Sequence, residues 1–393
     1  MKIALLSEKY TPDIGGLAIS AERLARLLAS AGHAVHVYAP APSAVLRASS
    51  DLQASEARTF HSNGVSVTRF GARKRVDDTL VDWFELLVQE NERGAFDVLH
   101  GYFLAQAGFV ATYAGTYLNV PSVVSIRGND LERAAFDPAR FSHVMHALQH
   151  ADAVTTNASS LARKARALVP DREIAIIPNG VDMEHFKPLP RNRALAESLS
   201  LMNDKHSEEP ARVIGFAGEL REKKGLRPLL DAYAQIRKKY MATLLILGNI
   251  RAGEDKQTVE EFKLSHPQAR IVVTGFVSHR DLPEYYSLVD VFVQPSLRDG
   301  LPNALLEALA CERAVIGTPV GGIIDVVNDC ENGRLVSAGD AGELANTIDE
   351  LLVNESSRRK LGKAGRQTIA DHFTLQAELD GNLAIYRQLG LQV

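Results

Sequence analysis

Two acidic residues, Asp299 and Glu307, lie eight positions apart with a glycine and a proline between them. Pro302 suits the first turn of a helix, so a helix should begin near it. A glycine turn followed by a helix start presents backbone N–H groups that bind ligand oxygens. A carboxylate can accept both hydroxyls of a ribose or a hexose, so the pair could hold two sugar rings. The alternative, a capping acid and a solvated helix acid, fits this spacing less well.

A second segment with suitable chemistry runs from Gly218 to Gly225 and contains Arg221, Lys223 and Lys224. It stands between a predicted strand and a predicted helix, where a lysine and helix N–H groups can together bind a phosphate. The order of residues is not that of a P-loop. A solvated, charged loop remains the alternative interpretation.

The first half of the chain offers three further candidates at predicted strand ends. Gly15 and Gly16 precede a helix and would let a phosphate approach the backbone closely, or would simply form a flexible turn. Arg127 followed by Asp130 suits a site for an anion, or a surface ion pair. His100 ends a predicted strand and is a candidate acid or base, although a lone histidine is more often structural.

The elements that would position these residues alternate between short apolar strands and helices. This alternation predicts parallel sheets covered on both faces, which bind ligands beyond the carboxyl ends of their strands. The predicted strands of the first half are Ile3–Ser7, Ala34–Ala39, Val65–Phe70, Val98–Tyr102, Ser122–Ile126 and Ala153–Thr156. Those of the second half are Val213–Ala217, Thr243–Leu247, Ile271–Thr274, Val291–Gln294 and Ala314–Gly317.

Length and composition narrow the function classes. A chain of 393 residues is long enough for two domains. Its formal net charge of −4 argues against nucleic acid as a main partner. Two cysteines without a nearby Cys/His cluster make a disulfide framework or a zinc site improbable. Neither half carries the dinucleotide fingerprint, which disfavours a dehydrogenase.

These motifs, taken in order, resemble those of the retaining nucleotide-sugar glycosyltransferases of family 4, which have the GT-B fold. The resemblance covers nearly the whole chain, and the combined order and spacing are specific although each motif alone is weak. The matching segments are Gly15-Gly16, Ala31–Val35, Asp97–His100, Ile177–Asp182, Gly218–Gly225, Thr274–Val277, Asp299–Glu307 and Val320–Ile323.

The resemblance implies roles for matching positions. Glu307 looks like the acid that holds the donor ribose, Asp299 like the first acid of an E-x7-E motif near the donor sugar, and Lys224 like the cation on the diphosphate. The remaining implied donor contacts are Gly16 at the phosphate, the backbone of Gly300, Leu301, Pro302 and Asn303 at sugar hydroxyls, and Phe276 and Val277 at the base.

The chain departs from the family pattern at three positions. Asp299 replaces the commoner Glu and shortens the side chain by one methylene. Glu219 stands where the family usually has an Arg for the diphosphate, so either another cation compensates, with Arg221 and Arg127 as candidates, or this loop differs from that of the family. Arg127 itself stands where many members carry a His that contacts the donor. We count Asp299, Lys224, Arg127 and His100 as candidate catalytic residues.

The resulting expectation is an α/β protein of GT-B type with two Rossmann-like, doubly wound domains facing across a cleft. The predicted parts are an acceptor-binding domain (1–186), a linker (187–212), a donor-binding domain (213–372) and a C-terminal helix (373–393) that returns to the first domain. Loops such as Ala41–His61 would select the acceptor.

The expected activity is retaining, metal-independent transfer of a hexose from a UDP- or GDP-sugar to a glycan or lipid-linked acceptor, as in polysaccharide biosynthesis. No cofactor and no metal are expected. The alternatives are a nucleotide-sugar epimerase or hydrolase of the same fold and a non-catalytic nucleotide-sugar-binding subunit.

No signal peptide and no membrane span are recognised, so we expect a cytoplasmic protein. The basic stretches Arg73–Arg75 and Arg163–Arg166 leave contact with an anionic membrane surface open, although solvated faces explain them better.

Overall fold

The computed structural model describes residues 1–13, 15–41, 57–71, 73, 75–201 and 212–393. Their contacts divide the chain into unit 1, Met1–Asn179 with Leu375–Val393, and unit 2, Gly180–Thr374. The described part of the predicted linker 187–212 therefore belongs to unit 2, and its positions 202–211 lie outside the described residues. Positions 42–56 of the predicted acceptor loop and Lys74 of the first basic stretch also lie outside them.

The strands, in chain order, are β1 (Lys2–Leu6), β2 (Ala34–Pro40), β3 (Arg58–Ser62), β4 (Val65–Phe70), β5 (Val98–Tyr102), β6 (Ser122–Ile126), β7 (Ala153–Thr156), β8 (Ala175–Ile176), β9 (Arg212–Ala217), β10 (Ala242–Leu247), β11 (Ile271–Val273), β12 (Val291–Gln294), β13 (Ala314–Gly317) and β14 (Arg334–Leu335).

The α-helices are α1 (Gly16–Ser30), α2 (Val76–Arg93), α3 (Phe109–Leu118), α4 (Asn129–Glu132), α5 (Pro138–His150), α6 (Ser159–Leu168), α7 (Arg193–Ser198), α8 (Leu226–Lys239), α9 (Glu254–Ser265), α10 (Leu282–Tyr286), α11 (Asn303–Ala310), α12 (Ala341–Val353), α13 (Glu355–His372) and α14 (Leu375–Gln388).

The sheet of unit 1 has the strand order β3-β4-β2-β1-β5-β6-β7-β8. Every pair is parallel except β3 and β4, which form an antiparallel hairpin that the sequence analysis does not include. Its turn is Asn63-Gly64, with φ values of 52° and 76°. Asn and Gly tolerate positive φ, which such a tight turn requires. The central strand β1 pairs with β2 and β5 and is buried from Ile3 to Leu6.

The sheet of unit 2 is parallel throughout, with the order β11-β10-β9-β12-β13-β14. Its inner strands are continuous apolar runs: all six residues of β10 are buried. Such runs belong to strands that are covered on both faces, because neither face meets water. Because β9, β12 and β13 are neighbouring parallel strands, the loops that follow them meet at one edge of this sheet, and the candidate site lies there.

The C-terminal helix α14 packs into unit 1. Glu378 is almost fully buried and accepts hydrogen bonds from Nε and a terminal nitrogen of Arg23 at 2.6 and 3.1 Å. Tyr386 shares a hydrogen bond of 2.8 Å with Nδ1 of His100 in β5. Buried polar groups are costly unless paired, so these partners fix the position of the helix as well as its apolar face does.

Candidate active site

Three loops of unit 2 build the candidate site at the carboxyl ends of β9, β12 and β13. The backbone N–H groups of Leu297 and Arg298 donate to the carbonyl of Lys223, at 2.9 and 3.2 Å, and so join the first two loops. The N–H of Gly322 donates to the carbonyl of Gly300 at 2.7 Å and joins the second and third. The loops therefore form one hydrogen-bonded cradle.

Two glycines allow this close packing. Gly225 and Gly321 have φ values of +80° and +60°, which residues with a side chain seldom adopt. A Cβ at Gly225 would overlap the carbonyl oxygen of Pro295, and one at Gly321 would overlap that of Asp299. The sequence predicts a turn at Gly225, but only the structure shows that backbone contact between loops requires glycine there.

Asp299 is the centre of a buried polar network in this cradle. Its Oδ2 pairs with Nζ of Lys224 and accepts from the hydroxyl of Ser296 at 3.0 Å. Nε2 of Gln294 lies 3.4 Å from the same oxygen, and the N–H of Gly300 donates to Oδ1 at 3.1 Å. Burial acts to raise the pKa of Asp299, but Lys224 and the other donors outweigh it and hold that pKa below its ordinary value.

This network keeps Asp299 ionised and well supplied with donors, which makes it a weak base and a weak nucleophile. Its arrangement suits a group that orients Lys224. An ammonium has three N–H donors, and Asp299 accepts one of them, so up to two can face a ligand anion. Two predicted site residues far apart in sequence, Lys224 and Asp299, are thus brought into direct contact.

Glu307 lies in α11, which begins at Asn303 with Pro302 as its capping residue. The hydroxyl of Tyr286 donates to Oε2 of Glu307 at 2.9 Å, and Nε2 of His279 lies 3.3 Å from Oε1. Burial and the adjacent charge of Glu307 raise the pKa of Tyr286 well above its ordinary value, so the phenol stays protonated and donates. A carboxylate has about four acceptor positions, so two remain for ligand hydroxyls.

Tyr286 and His279 are site residues that the sequence analysis does not identify. Tyr286 is fully buried. His279 stands three positions after Phe276, the predicted base contact, whose side chain is 66% exposed.

The predicted compensating cation of the diphosphate site is already partly neutralised. Arg221 pairs with Glu219 at 3.4 Å, and the Glu219 side chain is about half exposed. The acid that replaces the usual arginine therefore also draws Arg221 into an ion pair. Both cations of this loop are thus paired with acids, Arg221 with the half-exposed Glu219 and Lys224 with the buried Asp299.

Replacing Glu219 with glutamine should tighten binding of a nucleotide-sugar about three-fold, since it removes a negative charge near the phosphates and releases Arg221. The gain is small because exposed ion pairs are weak. Calorimetric titration with the donor measures it. Glu222→Gln is the matched control, since Glu222 lies in the same loop and pairs with Arg227 at 3.4 Å. Unchanged or weaker binding in Glu219→Gln would contradict the placement of phosphate at this loop.

Three further predicted residues, Gly16, Arg127 and His100, lie in unit 1. Gly16 is the first residue of α1, preceded by Gly15 with φ +132°. The guanidinium of Arg127 lies over the ring of Tyr102 at 3.9 Å and donates to Oδ1 of Asn179 at 3.0 Å. Its Nε is buried without a hydrogen-bond partner. The Tyr102 ring and Asn179 therefore hold the Arg127 side chain in place.

His100 has a different environment from the one its catalytic prediction requires. It lies in the middle of β5, not at the end, and is fully buried. Its Nδ1 contacts Tyr386 and its Nε2 contacts Ser125, both at 2.8 Å. Burial and then Arg127 lower the pKa of His100 to about 3. The imidazole is thus neutral and closed off from substrate, and we leave it out of the proposed machinery.

The described residues contain no group of three or more His, Cys, Asp or Glu side chains placed to hold a metal ion. None of the described helices has the length and apolar composition needed to cross a bilayer.

Each half of the chain matches a known protein family. Residues 14–185 match Glycosyltransferase Family 4, and residues 200–368 match Glycosyl transferases group 1. The chain belongs to the group 1 and family 4 glycosyltransferases. It is therefore a hexosyltransferase, and the cradle of unit 2 falls within the group 1 match.

Three similar proteins match this chain over nearly their whole length. N-acetyl-alpha-D-glucosaminyl L-malate synthase of Bacillus anthracis is 23% identical over 368 residues, covering 92% of this chain and 91% of the relative. Sucrose-phosphate synthase from Thermosynechococcus elongatus superposes with a TM-score of 0.79 at 23% identity, covering 99% and 98% of the two chains. HepE of Anabaena, in complex with UDP-glucose, gives 0.78 at 18% identity, with 98% and 99% covered. These superpositions establish the GT-B fold.

Proposed function

We propose that this glycosyltransferase moves a hexose from a UDP- or GDP-sugar to a hydroxylated acceptor, with retention at the anomeric carbon and without a required metal. The observation that carries the proposal is the cradle, in which Lys224 is oriented by Asp299 and the buried acid Glu307 has two acceptor positions left for ribose hydroxyls. UDP-glucose bound to HepE, a protein of the same fold, supports the donor class.

The difficult step is departure of the nucleoside diphosphate from an oxocarbenium-like carbon. Lys224 and the start of α8, which follows directly, would stabilise the negative charge that develops on the leaving phosphate. In metal-assisted transfer a divalent ion stabilises this negative charge. The proposal assigns this role to the remaining N–H donors of the Lys224 ammonium, which Asp299 orients, together with the N–H groups at the start of α8.

Retention follows if the acceptor attacks from the face that the diphosphate leaves. The bond from the anomeric carbon to the phosphate oxygen breaks, and the bond to the acceptor oxygen forms on the same side. The acceptor proton passes to the departing phosphate oxygen. Asp299 does not serve as nucleophile in this scheme, because its lowered pKa and its several donors reduce its basicity.

The test is a panel of UDP-, GDP- and ADP-sugars, followed by calorimetry, by diphosphate release with acceptor mixtures and by NMR of the product anomer. We expect one UDP- or GDP-sugar to bind, release of its diphosphate to be stimulated by acceptor and insensitive to EDTA, and the donor configuration to persist in the product. Full turnover without any acceptor would favour the hydrolase. Inversion, or loss of activity with EDTA, would refute the mechanism.

A further inference from the structure

His279 is held by three other side chains of unit 2, although its own side chain is 44% exposed. Its Nε2 lies 3.3 Å from Oε1 of Glu307. The ring of His185 stacks on its ring with 5.8 Å between centroids, and the ring of Phe186 meets it edge-on at 4.9 Å. These neighbours keep the imidazole in the orientation that brings Nε2 to Glu307.

The turn before α10 fixes the backbone of His279. The hydroxyl of Ser278 donates to Oδ2 of Asp281, and the N–H of Asp281 donates to the carbonyl of Ser278, both at 2.9 Å. Nε2 of His185 donates to the carbonyl of His279 at 3.0 Å. None of these hydrogen bonds uses the imidazole of His279, so they remain possible when that imidazole is replaced.

Glu307 receives a donor on each of its two carboxylate oxygens. An ionised carboxylate only accepts hydrogen bonds, so Nε2 of His279 carries the proton in its contact with Oε1, as the hydroxyl of Tyr286 does at Oε2. Phe186 is buried and packs against both donors, with ring centroids 4.9 Å from His279 and 6.2 Å from Tyr286. The two donors therefore form one support for the carboxylate.

A second donor matters because the last torsion of a glutamate side chain is soft. A terminal torsion that ends in a planar group has broad minima, so an unsupported carboxylate turns readily. With Tyr286 alone, the carboxylate of Glu307 could still pivot about Oε2. The contact of His279 with Oε1 removes that freedom and leaves an acceptor position on each oxygen. Two acceptors in a fixed orientation match the two adjacent hydroxyls of a ribose.

We propose that His279 is a positioning residue for the nucleotide donor, which acts through Glu307 and fixes that carboxylate for simultaneous contact with the 2′- and 3′-hydroxyls of the ribose. A carboxylate that is free to turn can follow a single hydroxyl, but it must give up that freedom to hold two, which weakens binding. His279 therefore matters more for a ribonucleotide than for a 2′-deoxyribonucleotide. The inference rests on the proposed function, since it concerns the ribose end of the same donor.

The test is a calorimetric titration of the full chain with UDP and 2′-deoxy-UDP, or with GDP and 2′-deoxy-GDP if the donor panel selects guanine. His279→Leu removes the donor at Oε1, and His279→Asn, whose amide is too short to reach Oε1, is a second variant of this kind. His279→Gln keeps an N–H of suitable reach. The matched control is His266→Leu, because His266 is another partly exposed histidine of unit 2 and stacks on Phe262 at 4.3 Å.

We expect His279→Leu to raise the Kd of the ribonucleotide about five-fold, the effect of one ordinary hydrogen bond, and to raise that of the 2′-deoxy analogue much less. His279→Asn should behave in the same way, and His279→Gln should recover part of the affinity. His266→Leu should bind both ligands like the wild type. In turnover, the loss should appear in the donor KM far more than in kcat, because Lys224 acts at the leaving phosphate and His279 does not.

Equal rises in Kd for the two ligands would overturn the inference, because a purely structural role of His279 would not distinguish them. An unchanged Kd for the ribonucleotide would overturn it as well, and so would a fall in kcat without a rise in donor KM. The proposed function has a separate failure, namely that the wild type neither binds a nucleotide-sugar nor turns one over. A wild type that turns over donor, with a Kd that does not depend on His279, would refute only the role of His279.

Discussion

Replacing Lys224 with methionine should lower kcat by about 10²- to 10³-fold, with a much smaller change in donor affinity. The reason is that its charge matters most when the diphosphate departs and negative charge accumulates, which is the effect seen when a pre-oriented stabilising group is removed. Lys224→Arg keeps the charge but not the geometry, and should recover only part of the rate. Steady-state kinetics with the donor found in the nucleotide-sugar panel measures both.

Loss of folding must be separated from loss of chemistry in this variant. Lys224→Met leaves the buried carboxylate of Asp299 without its cation, so the melting temperature should fall, and activity must be read well below it. Lys239→Met is the matched control, since it removes a lysine paired at 2.6 Å with Asp349 on the surface of the same unit. If folded Lys224→Met turned over donor at the wild-type rate, Lys224 would not be the diphosphate cation.

Replacing Glu307 with alanine should raise the Kd for the nucleotide-sugar by about 10²-fold, because two charge-assisted hydrogen bonds to ribose hydroxyls, each worth about 1.5 kcal/mol, would be lost. Glu307→Gln keeps one carbonyl acceptor, so its Kd should rise less than that of Glu307→Ala. Tyr286→Phe leaves the carboxylate in place and removes only the hydroxyl that donates to it, so the rise in Kd should be smaller still. Calorimetry and the donor-induced rise in melting temperature give independent values.

The control for Glu307 is Glu350→Gln, which removes an exposed charge paired with Arg334 at 2.7 Å elsewhere in unit 2. This variant should bind donor like the wild type. If the Glu307→Ala protein melted at the wild-type temperature and bound the donor with wild-type affinity, Glu307 would not be the residue that binds the ribose. The cradle at Lys224 would then have to position the donor by its phosphates alone.

Local sequence signals predict the sheets and the loops of the candidate site because both depend on short-range patterns. Buried parallel strands read as apolar runs, and glycine and proline mark where they end. The Asn63-Gly64 turn between β3 and β4 is also a local signal, because this dipeptide favours a hairpin, but β3 is not among the predicted strands. The strand ends also placed Lys224 and Asp299 at one edge of a sheet, since neighbouring parallel strands end together.

Contacts between distant residues could not be predicted in this way. Tyr286 and His279 reach Glu307 from 21 and 28 positions earlier, and nothing in their local sequence distinguishes them from core or surface residues. His100 was misplaced for a related reason. The apolar pattern predicts the strand that contains His100. That the ring faces inward depends on the pleat of this strand and on Tyr386 of α14, which lies 286 positions later in the chain. The roles of Lys224, Glu307 and Arg127 stay predictions until donor binding is measured.

The position of α14 makes unit 1 discontinuous along the chain. Unit 2 is one continuous stretch that ends at Thr374, whereas unit 1 combines Met1–Asn179 with Leu375–Val393. Arg23 and His100 are therefore paired with Glu378 and Tyr386, which follow all of unit 2 in the chain. The core of unit 1 can thus be completed only after the whole of unit 2 has been synthesised.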